Sequence, residues 1–202
     1  MAREMIFTRF ERFWHWTQAF LIICLMITGF EVNGAYVLYG YERAADLHRL
    51  AAWVLIWLWV FAIFWHLITG EWRQYIPTTD KLAAVVRYYT SDMFDPDASH
   101  PFKVGRLSKH NPLQRLAYLS FTVAITPVIW VSGLLYMYYN DWDAIGLGWM
   151  SLLWVAGIHT AASFAMLAFL IVHIYMVFMG KPILGHLKAM ITGYEPETPD
   201  QT

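Results

Sequence analysis

Charged residues are scarce in this chain. They make up 14% of its 202 residues, whereas a soluble domain of this size usually carries about 25%. Hydrophobic residues account for 58% and aromatic residues for 18%, and a water-soluble globule of this length has too little interior to bury them. A soluble globular domain and an intrinsically disordered chain are therefore both excluded. The composition is that of a membrane protein.

Cysteine is nearly absent, and neither sign of charge is in clear excess. The single cysteine, Cys24, lies in an apolar run, which excludes a disulfide scaffold and a zinc ribbon. The chain has no Cys-x-x-Cys-His sequence, so no c-type haem is covalently attached. The formal net charge of −1 gives no electrostatic basis for binding nucleic acid. By contrast, eight histidines are unusual in so apolar a chain, and the question of function begins with them.

Four apolar segments are each long enough to cross a bilayer, which takes about 20 residues in a helix. We predict an all-α membrane protein, a bundle of four transmembrane helices at about residues 13–38, 47–69, 112–139 and 149–179. A loop at 70–111 and a tail at 180–202 complete a chain that we expect to form a single domain. Within the loop, apolar residues at helical spacing in 80–89 predict a short helix on the membrane surface. Asn111-Pro112 predicts an N-cap followed by proline in the first turn of the third helix.

Lysine and arginine are distributed unevenly between the two ends of the predicted bundle. The N-terminal arm, the 70–111 loop, the start of the third helix and the tail hold all of the 14 basic residues except Arg43 and Arg49. Because basic residues accumulate on the cytoplasmic side, we predict that both termini and the long loop face the cytoplasm. The loops on the other side, at about 39–46 and 140–148, are too short to hold a catalytic domain.

The histidines fall at two depths of the predicted bundle. On the fourth helix, His159 and His173 are 14 residues apart, close to four turns, which places them on one face about 21 Å apart. On the second helix, His48 and His66 are 18 residues apart, which is five turns and about 27 Å. His15 lies near the cytoplasmic end of the first helix. The outer level therefore offers one pair of histidines, and the inner level offers three.

Ionisable residues inside a membrane span are costly and usually face the bundle interior as functional groups. Two b-type haems between the helices, each held by two imidazoles from facing helices, require four histidines at two depths. Small residues let a haem macrocycle approach a helix backbone, and four are candidates: Gly29, Gly133, Ala156 and Gly157. Helix contacts or zinc are the alternatives, but no carboxylate or thiol accompanies the histidines at either depth. At the inner level, the helix period leaves open whether His15 or His66 is a ligand.

The candidate histidines stand in a set of motifs that extends over nearly the whole chain. The motifs are residues 9–16 (RFERFWHW), Thr28-Gly29, Leu47-His48-Arg49, Trp65-His66, Asn111-Pro112-Leu113-Gln114, His159 and His173. As a set they resemble the membrane cytochrome b subunits of respiratory NiFe hydrogenases, formate dehydrogenases and thiosulfate reductases. Members of that family are four-helix quinone oxidoreductases with two haems.

The resemblance implies two b-type haems as cofactors and a quinone as substrate. It implies two pairs of axial ligands: His15 with His173 at the inner haem, and His48 with His159 at the outer haem. It also implies that His66 is not an axial ligand and lies near the haem carboxylates or the quinone. Arg12 and Tyr175 are further candidate contacts to these groups.

We therefore expect an electron-transfer subunit with no catalytic centre of its own beyond haem and quinone chemistry. It would connect the quinone pool with a periplasmic redox enzyme or electron-carrier subunit across a bacterial inner membrane, and both directions of flow fit the sequence. One alternative is a stand-alone membrane cytochrome b that oxidises quinol. Another is a non-redox membrane anchor or transporter. The expected partner contacts are charged residues of the outer loops: Glu42, Arg43, Asp141 and Asp143.

Overall fold

The computed structural model describes residues 5–95, 101–102, 105, 108–178 and 184–194. Within these ranges the secondary structure is helical, with two isolated β-bridges. The helices are α1 (Arg9–Val32), α2 (Tyr41–Thr69), α3 (Leu82–Thr90), α4 (Pro112–Ser120), α5 (Thr126–Met137), α6 (Leu152–Phe178) and α7 (Gly185–Thr192). A π-helical turn, Phe121–Ile125, joins α4 to α5, and short 3-10 turns lie at Glu71–Tyr75, Asp92–Phe94 and Tyr139–Asp141.

Four helical spans are long and apolar enough to cross a membrane: α1, α2, the continuous helix Pro112–Met137 and α6. The all-α, four-span architecture expected from the sequence is confirmed. Large apolar side chains on these spans are exposed, for example Trp57 at 67% and Leu153 at 81%. Such surface is stable against hydrocarbon rather than water, so the protein is a multi-span membrane protein.

The first span is displaced towards the N-terminus, to Arg9–Val32 instead of 13–38. At its start Thr8 and Glu11 form a capping box, in which Thr8 N donates to Glu11 Oε2 at 2.8 Å and Glu11 N donates to Thr8 Oγ1 at 3.3 Å. These bonds satisfy backbone groups that a helix start leaves without partners. At its end Glu31 Oε1 accepts from the backbone N–H groups of residues 38, 39 and 40 at 2.7, 2.6 and 2.8 Å. This bonding turns the chain, and α2 begins at residue 41 instead of 47.

Pro127 shapes the third span. Proline lacks an N–H group, and its ring clashes with the carbonyl four residues earlier. Directly before it, the helix widens into the π turn Phe121–Ile125, a device that accommodates such an interruption. At the start of the span, Asn111 and Gln114 form a capping box and Pro112 occupies the first turn. The predicted start at Asn111-Pro112 is therefore confirmed.

The described residues form two compact units. The helix unit contains residues 13–63 and 123–175, which include most of each of the four spans. The loop unit contains the described parts of residues 1–12, 64–122 and 176–202. The histidines divide between them: His15, His48, His159 and His173 belong to the helix unit, and His66, His110 and His186 belong to the loop unit.

A buried group of charged residues joins distant parts of the loop unit. Lys109 Nζ, on a side chain that is 1% exposed, contacts Glu11 Oε1 at 2.7 Å and Glu71 Oε2 at 2.9 Å. A buried charge is tolerated when it is paired in this way. The contacts connect the start of α1, the 3-10 turn after α2 and the segment before α4.

The short loop helix predicted in 80–89 is present as α3 and buries Val85 and Tyr88.

Candidate haem-binding site

Two pairs of histidines face each other inside the helix unit. In the His48 pair, His48 of α2 and His159 of α6 have ring centroids 6.3 Å apart and ring planes at 82°. In the His15 pair, His15 of α1 and His173 of α6 have ring centroids 6.2 Å apart and ring planes at 48°. The structure thus brings together the four histidines singled out as axial ligands, in the pairing that the family resemblance implies.

The centroid separation within each pair is close to that expected for two imidazoles bound to one metal ion. A metal–imidazole bond is about 2.0 Å long and the ring centroid lies roughly 1.2 Å beyond the nitrogen, so two imidazoles on opposite sides of one ion have centroids about 6.4 Å apart. Both observed separations are close to this value. Aromatic rings in direct contact also have centroids about 4.5–7 Å apart, so the separation alone does not distinguish metal ligands from packed rings. The position of the proton on each ring is more specific evidence.

The Nδ1 atom of His48 is held by a hydroxyl group of α1. Thr28 Oγ1 lies 3.0 Å from His48 Nδ1. Thr28 donates its own proton to the carbonyl oxygen of Cys24 at 2.7 Å, so its lone pair accepts from Nδ1–H of His48. With the proton on Nδ1, the Nε2 atom has the free lone pair that a metal binds. The neighbouring Gly29 lies against the ring, because a Cβ there would be 3.0 Å from His48 Cε1.

His159 is held in the same manner by α5. Its Nδ1 atom lies 3.1 Å from Ser132 Oγ and 3.1 Å from the carbonyl oxygen of Ile129. A carbonyl oxygen only accepts hydrogen bonds, so Nδ1 carries the proton and Nε2 has the free lone pair. Ser132 Oγ donates to the carbonyl oxygen of Val128 at 2.6 Å. A Cβ on the neighbouring Gly133 would be 2.9 Å from Cε1 of His159, so a larger residue would displace the ring.

The His15 pair lies in different surroundings. The Nδ1 atom of His15 is buried and has no hydrogen-bond partner in the part of the chain that the structure describes. Trp16 packs edge-on against His15 with ring centroids 5.2 Å apart, and Phe169 stacks on His173 at 6.0 Å with planes at 10°. A buried nitrogen without a partner is uncommon in a native interior, and a bound cofactor is one explanation for it.

A cavity of about 850 Å³ surrounds the His48 pair, a size typical of ligand and cofactor sites. Its walls come from α1, α2, α5 and α6 and are mostly apolar. Its charged lining residues, Glu42, Asp46 and Arg49, all lie in the first three turns of α2, and Arg49 pairs with Asp46. An apolar pocket with two facing imidazoles fits the apolar ring of a haem. Of the three charged lining residues only Arg49 has the sign that would bind a haem carboxylate.

His66 lies in the loop unit. Its ring is 8% exposed and packs against Tyr75 with ring centroids 5.6 Å apart. Tyr75 also contacts His110 at 5.2 Å. Burial, together with the positive charges of Lys109 and Arg115, lowers the pKa of His110 to about 3. The structure therefore places His66 in an aromatic cluster of the loop unit beside a neutral histidine, whereas it brings His15 opposite His173.

The other candidate residues are distributed over both units. Arg12 of the loop unit donates from Nη1 to the carbonyl oxygen of Ile191 at 2.5 Å. This bond ties α1 to α7, a helix that the sequence analysis does not predict in the tail. Tyr175 of the helix unit has 51% of its surface exposed. The candidate partner contacts are all exposed: Glu42, Arg43, Asp141 and Asp143.

The four histidines are recognisable in the sequence, but the hydroxyl groups that hold two of them are not. Thr28 and Ser132 each directly precede a candidate glycine, and this repeated hydroxyl–glycine dipeptide in two apolar spans is the available signal. Gly29 and Gly133 do lie at close approaches, but the group that approaches each of them is an imidazole ring. By contrast, a Cβ on Gly157 would meet nothing within 4 Å.

Comparisons with known proteins find similarity over nearly the whole chain. A family model described as prokaryotic cytochrome b561 matches residues 6–193. A protein of Escherichia coli (strain K12) described as "Putative cytochrome YdhU" is 25% identical over 197 residues, which cover 94% of this chain and 73% of that protein. No solved structure matches the chain. The matched range, residues 6–193, contains all four facing histidines and both hydroxyl–glycine dipeptides.

Proposed function

This chain belongs to the prokaryotic cytochrome b561 family, and we propose that it is a two-haem subunit passing electrons between a periplasmic redox partner and the quinone pool. Family membership and the four apolar spans show that it is a multi-span membrane cytochrome b of electron transport. We propose in addition two haems, their histidine ligands, the quinone and the periplasmic partner.

The observation that carries the proposal is the presence of two histidine pairs with nearly equal spacing, 6.3 and 6.2 Å, in one unit. Each haem needs one pair of axial ligands. On α6 the two ligands His159 and His173 are 14 residues apart, or about 21 Å along the helix axis. Two centres at this separation cover much of a hydrocarbon layer about 30 Å thick, which supports electron transfer across the membrane.

A b-type haem, when bound, supplies a reversible one-electron couple whose potential depends on its axial ligands, its hydrogen bonds and its burial. The chain's own residues hold and orient the four imidazoles, and they keep the proton of His48 and His159 on Nδ1. Apolar side chains of the four spans exclude water from the cavity. At its charged end, Arg49 can exchange its exposed partner Asp46 for a haem carboxylate at low cost, because exposed ion pairs contribute little stability.

We place the quinone on the cytoplasmic side of a bacterial inner membrane. The concentration of lysine and arginine in both termini and the long loop supports this orientation. Reduction of a quinone consumes two electrons and two protons, so its site needs groups that exchange protons. Arg12 and His66, both in the loop unit, are candidate contacts of the quinone, and Tyr175 of the helix unit is a separate candidate.

The short loops on the opposite side are the proposed docking surface for the redox partner. In the structure the connections from α1 to α2 and from α5 to α6 expose large apolar side chains, including Val37 at 88% and Trp149 at 80%. Of the charged contacts, Asp141 and Asp143 lie in the second connection, whereas Glu42 and Arg43 lie in the first turn of α2. A stand-alone cytochrome that oxidises quinol is the second candidate. Copurification of a haem or iron–sulfur subunit in mild detergent would separate the two. Membership of a cytochrome family favours both over a non-redox anchor or transporter.

Single histidine variants test the ligand assignment. We expect His48→Ala and His15→Ala each to lower the haem content of the purified chain from two to one per chain, because each removes one axial ligand. His66→Ala should retain two haems. His186→Ala, on the exposed face of α7, is the matched control and should also retain two. Loss of one haem in His66→Ala, with two retained in His15→Ala, would show that the inner haem is bound by His66 and not by His15.

A further inference from the structure

Two hydroxyl–glycine dipeptides contact the two imidazoles of the His48 pair in the same way. They are Thr28-Gly29 on α1 and Ser132-Gly133 on α5. In both, the hydroxyl oxygen lies 3.0–3.1 Å from Nδ1 of the histidine. In both, the same hydroxyl donates to the carbonyl four residues earlier on its own helix, at 2.7 Å for Thr28 and 2.6 Å for Ser132. In both, the following glycine lies against Cε1 of the ring. Such repetition on α1 and α5 points to a common role.

We propose that Thr28 and Ser132 are positioning residues that set the reduction potential of the haem at the His48 pair. Each accepts a hydrogen bond from Nδ1–H of its histidine, which keeps the proton on Nδ1 and leaves the lone pair of Nε2 free to bind the iron of a haem. Together with the glycines, they hold the two rings nearly at right angles. The inference rests on the two-haem function proposed above, and it concerns only one of the two haems.

The direction of the effect follows from the chemistry of a bound imidazole. A hydrogen-bond acceptor at Nδ1–H makes the ring a stronger electron donor, as groups around metal-bound histidines commonly do. A stronger donor stabilises the oxidised iron and lowers the reduction potential. Loss of the acceptor therefore raises the potential. Each histidine also has a backbone acceptor that remains after substitution, the carbonyl oxygen of Ile129 for His159 and that of Leu25 for His48. Loss of either hydroxyl therefore removes one of two acceptors, and the test begins with Thr28.

The angle between the rings provides a second readout. Ligand planes near 90° give a ferric haem a strongly anisotropic low-spin EPR signal, and planes closer to parallel give a less anisotropic one. The 82° angle of the His48 pair and the 48° angle of the His15 pair should therefore give two distinct signals. A ring released from its hydroxyl can rotate, and only the signal of the His48 pair should then change.

The test compares Thr28→Val, which removes the hydroxyl at nearly constant volume, with Thr28→Ser, which keeps it. Both are made in the full chain, purified with its haems and examined by redox titration and EPR. For Thr28→Val we expect a higher ratio of reduced to oxidised haem at the His48 pair. Measured at the wild-type midpoint potential of that haem, the ratio should rise between threefold and tenfold. Tenfold corresponds to about 59 mV for a one-electron couple. Thr28→Ser should stay within twofold of wild type, and the haem at the His15 pair should not shift in either variant.

Each outcome decides between the two proposals. Two haems with an unchanged potential and EPR signal in Thr28→Val would overturn the inference and leave the two-haem function intact. Fewer than two haems in the wild-type chain would instead overturn the function. If Thr28→Val fails to retain haem, Ser132→Ala takes its place, with Ser132→Thr as its conservative partner and the same two readouts. Equal shifts in Ser132→Ala and Ser132→Thr would contradict a role for the hydroxyl.

Discussion

The His48 pair and the His15 pair have the same spacing but different surroundings. Their ring centroids differ by only 0.1 Å in separation, 6.3 against 6.2 Å. Yet each histidine of the first pair is hydrogen bonded through Nδ1 to a neighbouring helix. In the second pair, Trp16 and Phe169 pack on the rings, and Nδ1 of His15 has no partner among the described residues.

The difference separates two properties of a haem site. The distance between facing imidazoles determines whether one iron can be held between them. The groups around the imidazoles determine the ligand's basicity and orientation, and hence the potential of the iron. Two sites in one bundle can therefore bind the same cofactor and still differ in potential.

The largest expected effect comes from filling the space beside one ring. Gly133→Leu places a Cβ 2.9 Å from His159 Cε1 and must displace that ring, so we expect one haem to be lost, from the His48 pair only. Gly157→Leu is the matched control, because a Cβ there would meet nothing within 4 Å. Haem content and reduced-minus-oxidised spectra measure both variants. Equal haem loss in the two would show that the close approach at Gly133 does not matter.

A smaller effect is expected at the other pair. Phe169→Leu removes the ring stacked on His173, and an aromatic contact of this kind contributes about 0.5–1.5 kcal/mol. We expect haem loss from the His15 pair to accelerate by up to about tenfold, with the His48 pair unchanged. Transfer of haem to excess apomyoglobin measures the rates. Phe20→Leu, at a side chain on α1 that is 66% exposed, is the control, and faster loss from the His48 pair would contradict the assignment.

The smallest effect on either pair is expected from His110 in the loop unit. Burial keeps it neutral and lowers its pKa to about 3, whereas in the unfolded chain a histidine titrates near 6.5. As pH falls below about 6.5, only the unfolded chain gains this proton, so stability decreases. We expect the midpoint of thermal unfolding to fall between pH 7 and pH 4, and to fall less in His110→Phe. Both haem spectra should stay as in the wild type. An identical pH dependence in the two proteins would exclude His110 as the cause.

The sequence predicts the spans well and their ends less well. Length and hydropathy suffice for four helices, because a bilayer imposes them. The ends depend on side-chain contacts that hydropathy does not register. Glu31 ends α1 by binding the backbone of residues 38–40, and Thr8 begins it through its bond with Glu11. The π turn before Pro127 and the helix α7 likewise depend on local bonding that the apolar pattern does not reveal.

At the candidate site, the helix period predicts which histidines share a face but not which helices face each other. For this reason the residues alone leave His15 and His66 as alternatives, and the family resemblance is needed to choose between them. The roles of Thr28 and Ser132 are harder to predict. In an apolar helix such residues commonly bond only to the carbonyl four residues earlier, and the sequence does not show that the same oxygen also accepts from a histidine.

The stoichiometry of haem in the purified wild-type chain tests the two-site interpretation most directly. The chain would be purified in mild detergent after expression with ample haem, and assayed for haem and protein together with a dithionite-reduced minus oxidised spectrum. We predict two b-type haems per chain, with two resolvable steps in a redox titration. One haem per chain, or none, would contradict the assignment of both histidine pairs as haem ligands.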